Sequence, residues 1–129
     1  IIKKTFLDNK EFADLDQHVL LHGDYYNANI LIDHKKKTIA GAVDFSQTKI
    51  GDPAFDIAFW ATYYPKEFLS AFLEGYSETG PKIENLDKKL AYYTLRINLA
   101  KVKLRKRYNT GNIQKAIDGI NKSIEFLNQ

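Results

Sequence analysis

The segment that decides the fold is His22-Gly23-Asp24-Tyr25-Tyr26-Asn27-Ala28-Asn29-Ile30-Leu31, which Val43-Asp44-Phe45-Ser46 follows downstream. Asp24, Asn29 and Asp44 lie between apolar runs, at points where predicted strands begin or end. Carboxylate and amide oxygens of this kind are suitable ligands for a hard metal ion. The two pieces together therefore predict a polar site carried by strand ends.

Two apolar runs predict a β-hairpin that brings part of this site together. Residues 29–33 and 38–44 are apolar and partly β-branched, and the polar loop between them is short. If the end of the first run pairs with the start of the second, antiparallel register places Asn29 about opposite Ala42. Asn29 and Asp44 then reach the same end of the hairpin.

The third group, Asp24, leaves its own strand at that same end and is set apart from the other two by a short loop. It is free to accept a proton, whereas Asn29 and Asp44 are suitable ligands for Mg²⁺. Two ligands for one Mg²⁺ ion beside a separate proton acceptor are the groups that an active site for phosphoryl transfer needs.

Five short motifs carry a family resemblance. In chain order they are His22-Gly23-Asp24, Asn29-Ile30-Leu31, Val43-Asp44-Phe45, Gly51-Asp52-Pro53 and Asp56-Ile57-Ala58. Together they resemble the catalytic core of the aminoglycoside phosphotransferase family, whose relatives include choline kinase and, more distantly, the protein kinases. The resemblance is dense over residues 18–60 and weaker from there to the end.

The resemblance implies a role for five residues. Asp24 would be the catalytic base that faces the substrate hydroxyl, and Asn29 and Asp44 would hold Mg²⁺ against the phosphates of ATP or GTP. Asp56 resembles the family aspartate that braces the catalytic loop through backbone hydrogen bonds. His22 ends an apolar strand, so we interpret it as a buried histidine bonded to the backbone around Asp44.

Departures from the kinase pattern narrow the class. Gly23 stands where protein kinases have arginine, and Tyr26 stands where they have lysine. Both favour a small-molecule kinase over a protein kinase. Ser46 replaces the glycine of the D-F-G motif, which weakens any prediction that this loop flips.

Other readings of these residues stay open. Asp24 alone would be a turn or cap residue, since aspartate is common at both, and Asp52 is interpreted as a helix cap. The domain could be a non-catalytic binding or scaffold lobe, or a kinase for choline or another small metabolite. A two-metal phosphoesterase built on His22, Asp24 and Asp44 is the third alternative, and it would need more histidine than the three present.

Composition sets further bounds. The 129 residues are 44% hydrophobic and 27% charged, as in an ordinary globular protein, and contain no cysteine. Neither a disulfide framework nor a thiolate metal site is available, which is compatible with a reducing cytoplasm. No apolar run approaches the roughly 20 residues of a membrane span, so we expect a cytoplasmic protein with no membrane partner.

The chain contains no glycine-rich nucleotide loop and no methionine, even at residue 1. We therefore expect residues 1–129 to be a C-terminal lobe without its N-terminal nucleotide lobe, and to be inactive alone. The predicted fold class is α+β, a mainly helical protein-kinase-like C-terminal lobe in which a small β-hairpin carries the catalytic and metal-binding loops.

The predicted elements follow hydrophobic periodicity, caps and breakers. They are a short helix at 9–14 with Leu15 docking, a buried strand at 18–22, the hairpin, a loop at 46–51, and helices at 52–62, 65–80, 85–108 and 112–127. The last two helices are expected to pack as an antiparallel pair.

Charge is divided unevenly along the chain. Residues 1–81 hold 8 basic and 12 acidic side chains, whereas residues 82–129 hold 11 and 4. The basic cluster at 101–107 fills the last turns of a long helix, where cations complement the macrodipole, so we do not expect nucleic-acid binding. The acidic balance of residues 1–81 would suit a cationic acceptor of the aminoglycoside type.

Overall fold

The computed structural model describes residues 1–13 and 18–129 and has an α+β architecture in which helices predominate. The helices are α1 Ile2–Asp8, α2 Ala54–Ala61, α3 Lys66–Thr79, α4 Leu86–Tyr108 and α5 Ile113–Leu127. The strands are β1 Val19–Leu21, β2 Ile30–Asp33, β3 Thr38–Ala42 and β4 Lys49–Gly51. Three 3₁₀ turns lie between them, at Lys10–Ala13, Asn27–Asn29 and Phe45–Gln47. Among the described residues, no helix is both long and apolar enough to cross a membrane.

The core lies where α4 packs against α5 and α2. Its most deeply buried apolar side chains include Ala54, Ala58 and Leu95, each 0% exposed. The expected antiparallel pair is present, because Lys88 near the start of α4 contacts the carbonyl of Phe126 near the end of α5, while Arg105 near the end of α4 contacts the carbonyl of Asn112 just before α5.

The hairpin of β2 and β3 is present, with one difference in register. Asp33 pairs with Thr38 as predicted, but a bulge places Ile30, and not Asn29, opposite Ala42. The extra residue is Ala40, since Ile32 pairs with Ile39 and Leu31 with Gly41. Asn29 therefore lies opposite Val43, whose N–H donates to the Asn29 carbonyl at 2.9 Å.

The predicted loop at 46–51 is wrong in its second half. Residues 49–51 form β4, which pairs antiparallel with β1 so that Leu20 lies opposite Ile50. A three-residue strand with lysine and glycine has no readable alternation, so its pairing comes from tertiary contact. The prediction that β1 is buried is also wrong at its centre, because Leu20 is 72% exposed while Leu21 is 3% exposed.

The first helix begins earlier than predicted. Asn9 ends α1 and does not open a helix, because its side-chain amide donates to the Thr5 carbonyl at 3.0 Å. A 3₁₀ turn at Lys10–Ala13 follows. The remainder of that prediction, Asp14 and the docking of Leu15, lies outside the described residues.

The other helix boundaries agree with the sequence signals to within a residue or two. Asp52 accepts a hydrogen bond from the Ala54 N–H at 2.8 Å at the start of α2. Pro65 precedes α3, and Asn112 caps α5 by accepting from the Lys115 N–H at 2.9 Å. These ends fix where α2 and α4 pass the hairpin, and hence the site.

Candidate active site

The loop after β1 is held from below by Asp56, one turn into α2. Its two carboxylate oxygens accept from the backbone N–H groups of His22, at 2.7 Å, and Gly23, at 2.9 Å. Hydrogen bonds from two successive N–H groups to one carboxylate fix the path of the backbone that leads to Asp24. Asp56 therefore acts on the loop and not on a ligand.

Gly23 is required by backbone geometry. Its φ is +82°, and a Cβ built there would lie 2.1 Å from the carbonyl oxygen of Gln47. An L-residue would be strained by the φ and would also collide with backbone. The glycine that distinguishes this loop from the protein-kinase pattern thus has a local cause in the close approach of residue 47.

His22 joins the loop to the strand end that precedes Asp44. Its Nδ1 accepts from the Asp24 N–H at 3.3 Å, and its Nε2 lies 2.8 Å from the Val43 carbonyl oxygen. Because a carbonyl can only accept, this pattern assigns the ring proton to Nε2. Both ring nitrogens are engaged with backbone, so His22 has no nitrogen to offer a metal, which argues against the two-metal phosphoesterase.

Asn29 is bonded to Asp24 through its side-chain amide. Its side-chain nitrogen donates to the Asp24 carbonyl at 2.9 Å and to the Asp24 carboxylate at 3.2 Å. Since both partners are acceptors, the amide nitrogen must face Asp24 and the amide oxygen must face the other way. Asn29 itself is buried, so this orientation is set by packing as well as by hydrogen bonds.

Asp44 presents an exposed carboxylate from a left-handed backbone position with a φ of +60°. The hydroxyl of Ser46 donates to it at 2.7 Å and the Ser46 N–H at 3.4 Å. The Ser46 hydroxyl, followed by its N–H, lowers the pKa of Asp44 below its usual value. Ser46 therefore orients the carboxylate that the sequence predicts as a metal ligand, a role the sequence did not indicate.

The donor set suits Mg²⁺ better than a metal caged by protein alone. Within 1–13 and 18–129, no three His, Cys, Asp or Glu side chains cluster to hold a metal. One amide oxygen and one ionised carboxylate match the few protein ligands that Mg²⁺ takes when it keeps waters and phosphate oxygens. Asn29 and Asp44 are the residues that would hold it.

A cavity of about 440 Å³ lies on the far side of the catalytic loop, between β1, α2 and α3. It is mostly apolar, and His22, Tyr25 and Phe45 belong to its lining. The Phe45 ring lies 4.6 Å from the His22 ring, centroid to centroid. Asp24 is not among its described lining residues, so a molecule in this cavity would not face the Asp24 carboxylate.

A second cavity, of about 510 Å³, opens beside Asp24, and sequence reasoning did not predict it. Lys49, Tyr63, Arg96 and Lys101 contribute to its wall. The ammonium of Lys101 lies 3.5 Å from the centre of the Tyr63 ring. These residues are up to 77 positions from Asp24 in sequence, and no local pattern indicates that α4 crosses the loop here.

A tyrosine between α2 and α3 also bonds the loop after β1. The Tyr64 hydroxyl accepts from the Asn27 N–H at 2.8 Å, in the turn between Asp24 and Asn29. Tyr26 stacks on Tyr63, with ring centroids 4.9 Å apart. Neither contact is predictable from the sequence, because aromatic side chains after a helix have no distinguishing pattern.

Comparison with known proteins gives the family. A profile of the phosphotransferase enzyme family, APH, matches residues 6–87. The chain belongs to this family. The matched range includes His22, Asp24, Asn29, Asp44 and Asp56, and with them the loop after β1, the hairpin and the start of α2.

One relative is similar over part of the chain. The protein of Bacillus subtilis (strain 168) described as uncharacterized protein YcbJ is 31% identical over 83 residues. That alignment covers 60% of this chain and 27% of YcbJ, so the chain spans about a quarter of the relative it matches. Arg96 and Lys101 lie beyond the range that the phosphotransferase profile matches.

Proposed function

We propose that the protein transfers the γ-phosphoryl group of ATP or GTP to a hydroxyl of a small molecule, and that this chain is its kinase-like C-terminal lobe. One observation carries the proposal: Asn29 bonds the Asp24 carboxylate through its nitrogen while its oxygen faces away. The backbone carbonyl of Asn29 also accepts a hydrogen bond from the N–H of Val43, the residue before Asp44. These contacts support a unit in which Asp24 would accept the proton while Asn29 and Asp44 would hold one metal ion.

In the reaction, the acceptor oxygen attacks the γ-phosphorus, and the bond from that phosphorus to the β,γ-bridging oxygen breaks. The nucleoside diphosphate leaves, and the hydroxyl proton passes to the carboxylate of Asp24. Asp24 is partly exposed and lines the larger cavity, so an acceptor there can reach it. Bound Mg²⁺ would neutralise charge on the phosphate oxygens.

The lobe assignment rests on apolar side chains left exposed on the two sheets. Leu20 is 72% exposed, Ile50 69% and Ile39 64%. Exposed apolar groups gathered on neighbouring strands are typical of a surface that another body covers. We propose that a nucleotide-binding lobe covers them, that residues 1–129 turn over little or nothing alone, and that the enzyme is cytoplasmic.

The motif resemblance favours an aminoglycoside-type acceptor, with choline and other small metabolites as alternatives within the same class. Of the motif residues, only Gly23 and Asp24 are among the described lining residues of the cavity beside Asp24. Acceptor choice therefore depends on lining residues that lie outside the motifs.

The test is nucleotide consumption by the full-length protein against an acceptor panel, with Asp24→Ala as the variant. Loss of a general base lowers kcat by at least about a hundredfold, while the KM for nucleotide changes little. Asp118→Ala, which removes an exposed carboxylate on α5, is the matched control and should keep the parental rate. Parental turnover by Asp24→Ala would remove Asp24 from the mechanism.

A further inference from the structure

The cavity beside Asp24 is positively charged. Lys49, Arg96 and Lys101 line it, and Asp24 is its one acidic residue among those described. Phe55, Phe59 and Tyr63 form much of the remaining wall. At about 510 Å³ it has the size of a site for a small metabolite.

Lys101 is held in this wall with no counterion among the residues that the structure describes. Its ammonium lies over the Tyr63 ring at 3.5 Å and donates to the Thr62 hydroxyl at 2.5 Å. Burial, and then Arg105 and Lys115, lower its pKa to about 7, while Asp24 has the opposite effect. A partly buried lysine in this position is short of negative charge.

Two further cations, Lys49 and Arg96, lie together in the wall of the same cavity. The Lys49 ammonium lies 3.8 Å from the centre of the Phe55 ring, and the Arg96 guanidinium 6.0 Å from the same centre. Burial, and then Arg96, lower the pKa of Lys49, so the two cations repel each other. Among the described residues, no carboxylate lies within ion-pairing distance of Lys49, Arg96 or Lys101.

The position of the cavity indicates which substrate it serves. Asp24 lines it, but neither Asn29 nor Asp44 is among the described lining residues. It therefore lies on the acceptor side of the proposed base and away from the pair that would hold the nucleotide phosphates. An anion there would be part of the acceptor.

We infer that the acceptor carries an anionic group, a carboxylate or a phosphate, which binds Lys49, Arg96 and Lys101 in the cavity beside Asp24. This rests on the proposed function, since only a group-transfer enzyme has an acceptor. An anionic acceptor replaces the cationic, aminoglycoside-type acceptor that the motif resemblance favours, because the acidic balance of residues 1–81 is not the charge at the site. Helix α4, from the basic half of the chain, packs back and supplies Arg96 and Lys101.

The first experiment measures kcat/KM of the full-length protein for matched acceptors: glucuronate, glucose and glucosamine, glycerate and glycerol, glycerol 3-phosphate, and kanamycin. Within each matched set, we expect kcat/KM for the anionic acceptor to exceed kcat/KM for the neutral one by roughly tenfold or more. Lys101→Gln should reduce that preference at least about tenfold, mainly by lowering kcat/KM for the anionic partner. Lys103→Gln, on the same helix but outside the cavity, should keep it. A preference for glucose, glucosamine or kanamycin would overturn the inference and leave the phosphotransferase proposal standing.

The second experiment does not need turnover. Amine acylation of the full-length protein at pH 7.5, read residue by residue by mass spectrometry, reports the access and protonation of Lys101. Glucuronate, glycerate or glycerol 3-phosphate should slow labelling of Lys101 at least about threefold and leave labelling of Lys103 unaffected. The reason is that a bound anion covers the Lys101 amine and favours its protonated, unreactive form. Glucose and glucosamine should not protect it.

The two readouts separate the proposals. Protection of Lys101 without phosphorylation of any acceptor would remove the phosphotransferase function and leave an anion site in this cavity. Equal labelling of Lys101 with and without every anion, together with no anionic preference in turnover, would overturn the anionic acceptor. Protection together with anionic preference supports both.

Discussion

At the scale of single residues, the site depends on backbone positions as much as on functional groups. Asp24 follows two residues, His22 and Gly23, whose N–H groups donate to the Asp56 carboxylate. Asp44 is turned outward by its positive φ. The most constrained position is Gly23, where both the φ of +82° and the carbonyl of Gln47 exclude a side chain. The geometry of the loop is therefore sensitive to a single methyl group.

Gly23→Ala should destabilise the protein by about 1–3 kcal/mol or more, since it adds left-handed strain and a backbone clash. Gly75→Ala is the matched control, because nothing lies within 4 Å of a Cβ built at this position in α3. In a helix that change should stabilise by about 0.5–1 kcal/mol. Urea unfolding of the two variants should thus move in opposite directions, and equal midpoints would contradict the strain at Gly23.

Lys101 should make stability depend on pH. Its pKa is about 7 in the folded chain against an ordinary 10.5, so the unfolded chain binds more proton between these values. The free energy of unfolding should therefore rise from pH 7 to 9.5. The slope contributed stays well below the limit of about 1.4 kcal/mol per pH unit, because the side chain is only partly buried and solvent screens it.

Lys101→Met should remove that contribution, and Lys103→Met should not. Urea unfolding of both variants and the parent at pH 7, 8 and 9.5 measures it. Burial raises the pKa of Tyr63 from 10, so its titration enters only above this range. A parental slope in Lys101→Met would show that the amine is solvated and not buried against Tyr63.

The sequence indicated the residues that lie next to one another through local geometry. Asp24, Asn29 and Asp44 each lie within three residues of a strand end, so the hairpin and the loop that precedes it were enough to group them. Arg96 and Lys101 were read only as helix positions, because their approach to Asp24 depends on how α4 crosses α2. That crossing is set by packing between distant residues, so no pattern within a short stretch of sequence indicates it.

At the scale of elements, α2 and α4 are joined by a buried ion pair. The Lys89 ammonium lies 2.6 Å from the Asp52 carboxylate, and their side chains are 4% and 0% exposed. Asp52 also accepts from the Ala54 N–H, so the residue interpreted as a cap is an ion-pair partner as well. The pair fixes the helix that carries Asp56, and so supports the catalytic loop.

Lys89→Met should destabilise the protein by about 3–5 kcal/mol, because it leaves a buried carboxylate without its cation. Adding Asp52→Asn, which can still cap α2, should recover a large part of the loss. The double variant and both single ones are compared by urea unfolding, with Lys103→Met as the exposed control on α4. If the double variant is no more stable than Lys89→Met, the two side chains do not interact as described.

The strands show where element prediction stopped. The hairpin followed from two apolar runs and a polar loop, but the bulge at Ala40 did not, since one unpaired residue changes no pattern. β4 is three residues long and is held only by pairing with β1. Both features lie next to the site, where Val43 and Lys49 take their positions from them.

At the scale of the whole molecule, the two sheets leave apolar side chains in contact with water. Leu20 and Ile50 are directly opposite each other on β1 and β4, and both are mostly exposed. A cross-strand pair of aliphatic residues on a solvent face is unfavourable unless something covers it. The proposed nucleotide lobe is the body that would do so.

The double variant Leu20→Thr/Ile50→Thr tests whether another lobe covers this face of β1 and β4 or whether the face is exposed to solvent. In residues 1–129 alone it should change the free energy of unfolding by no more than about 0.5 kcal/mol, as exposed substitutions do. In the full-length protein it should raise the KM for nucleotide roughly tenfold or more, because burying an aliphatic side chain contributes about 1.5–3 kcal/mol. Leu7→Thr, at a 59% exposed position on α1, is the control and should leave both quantities unchanged. An unaltered KM in the full-length double variant would mean that this face is solvent-exposed there too, and that the nucleotide lobe docks elsewhere.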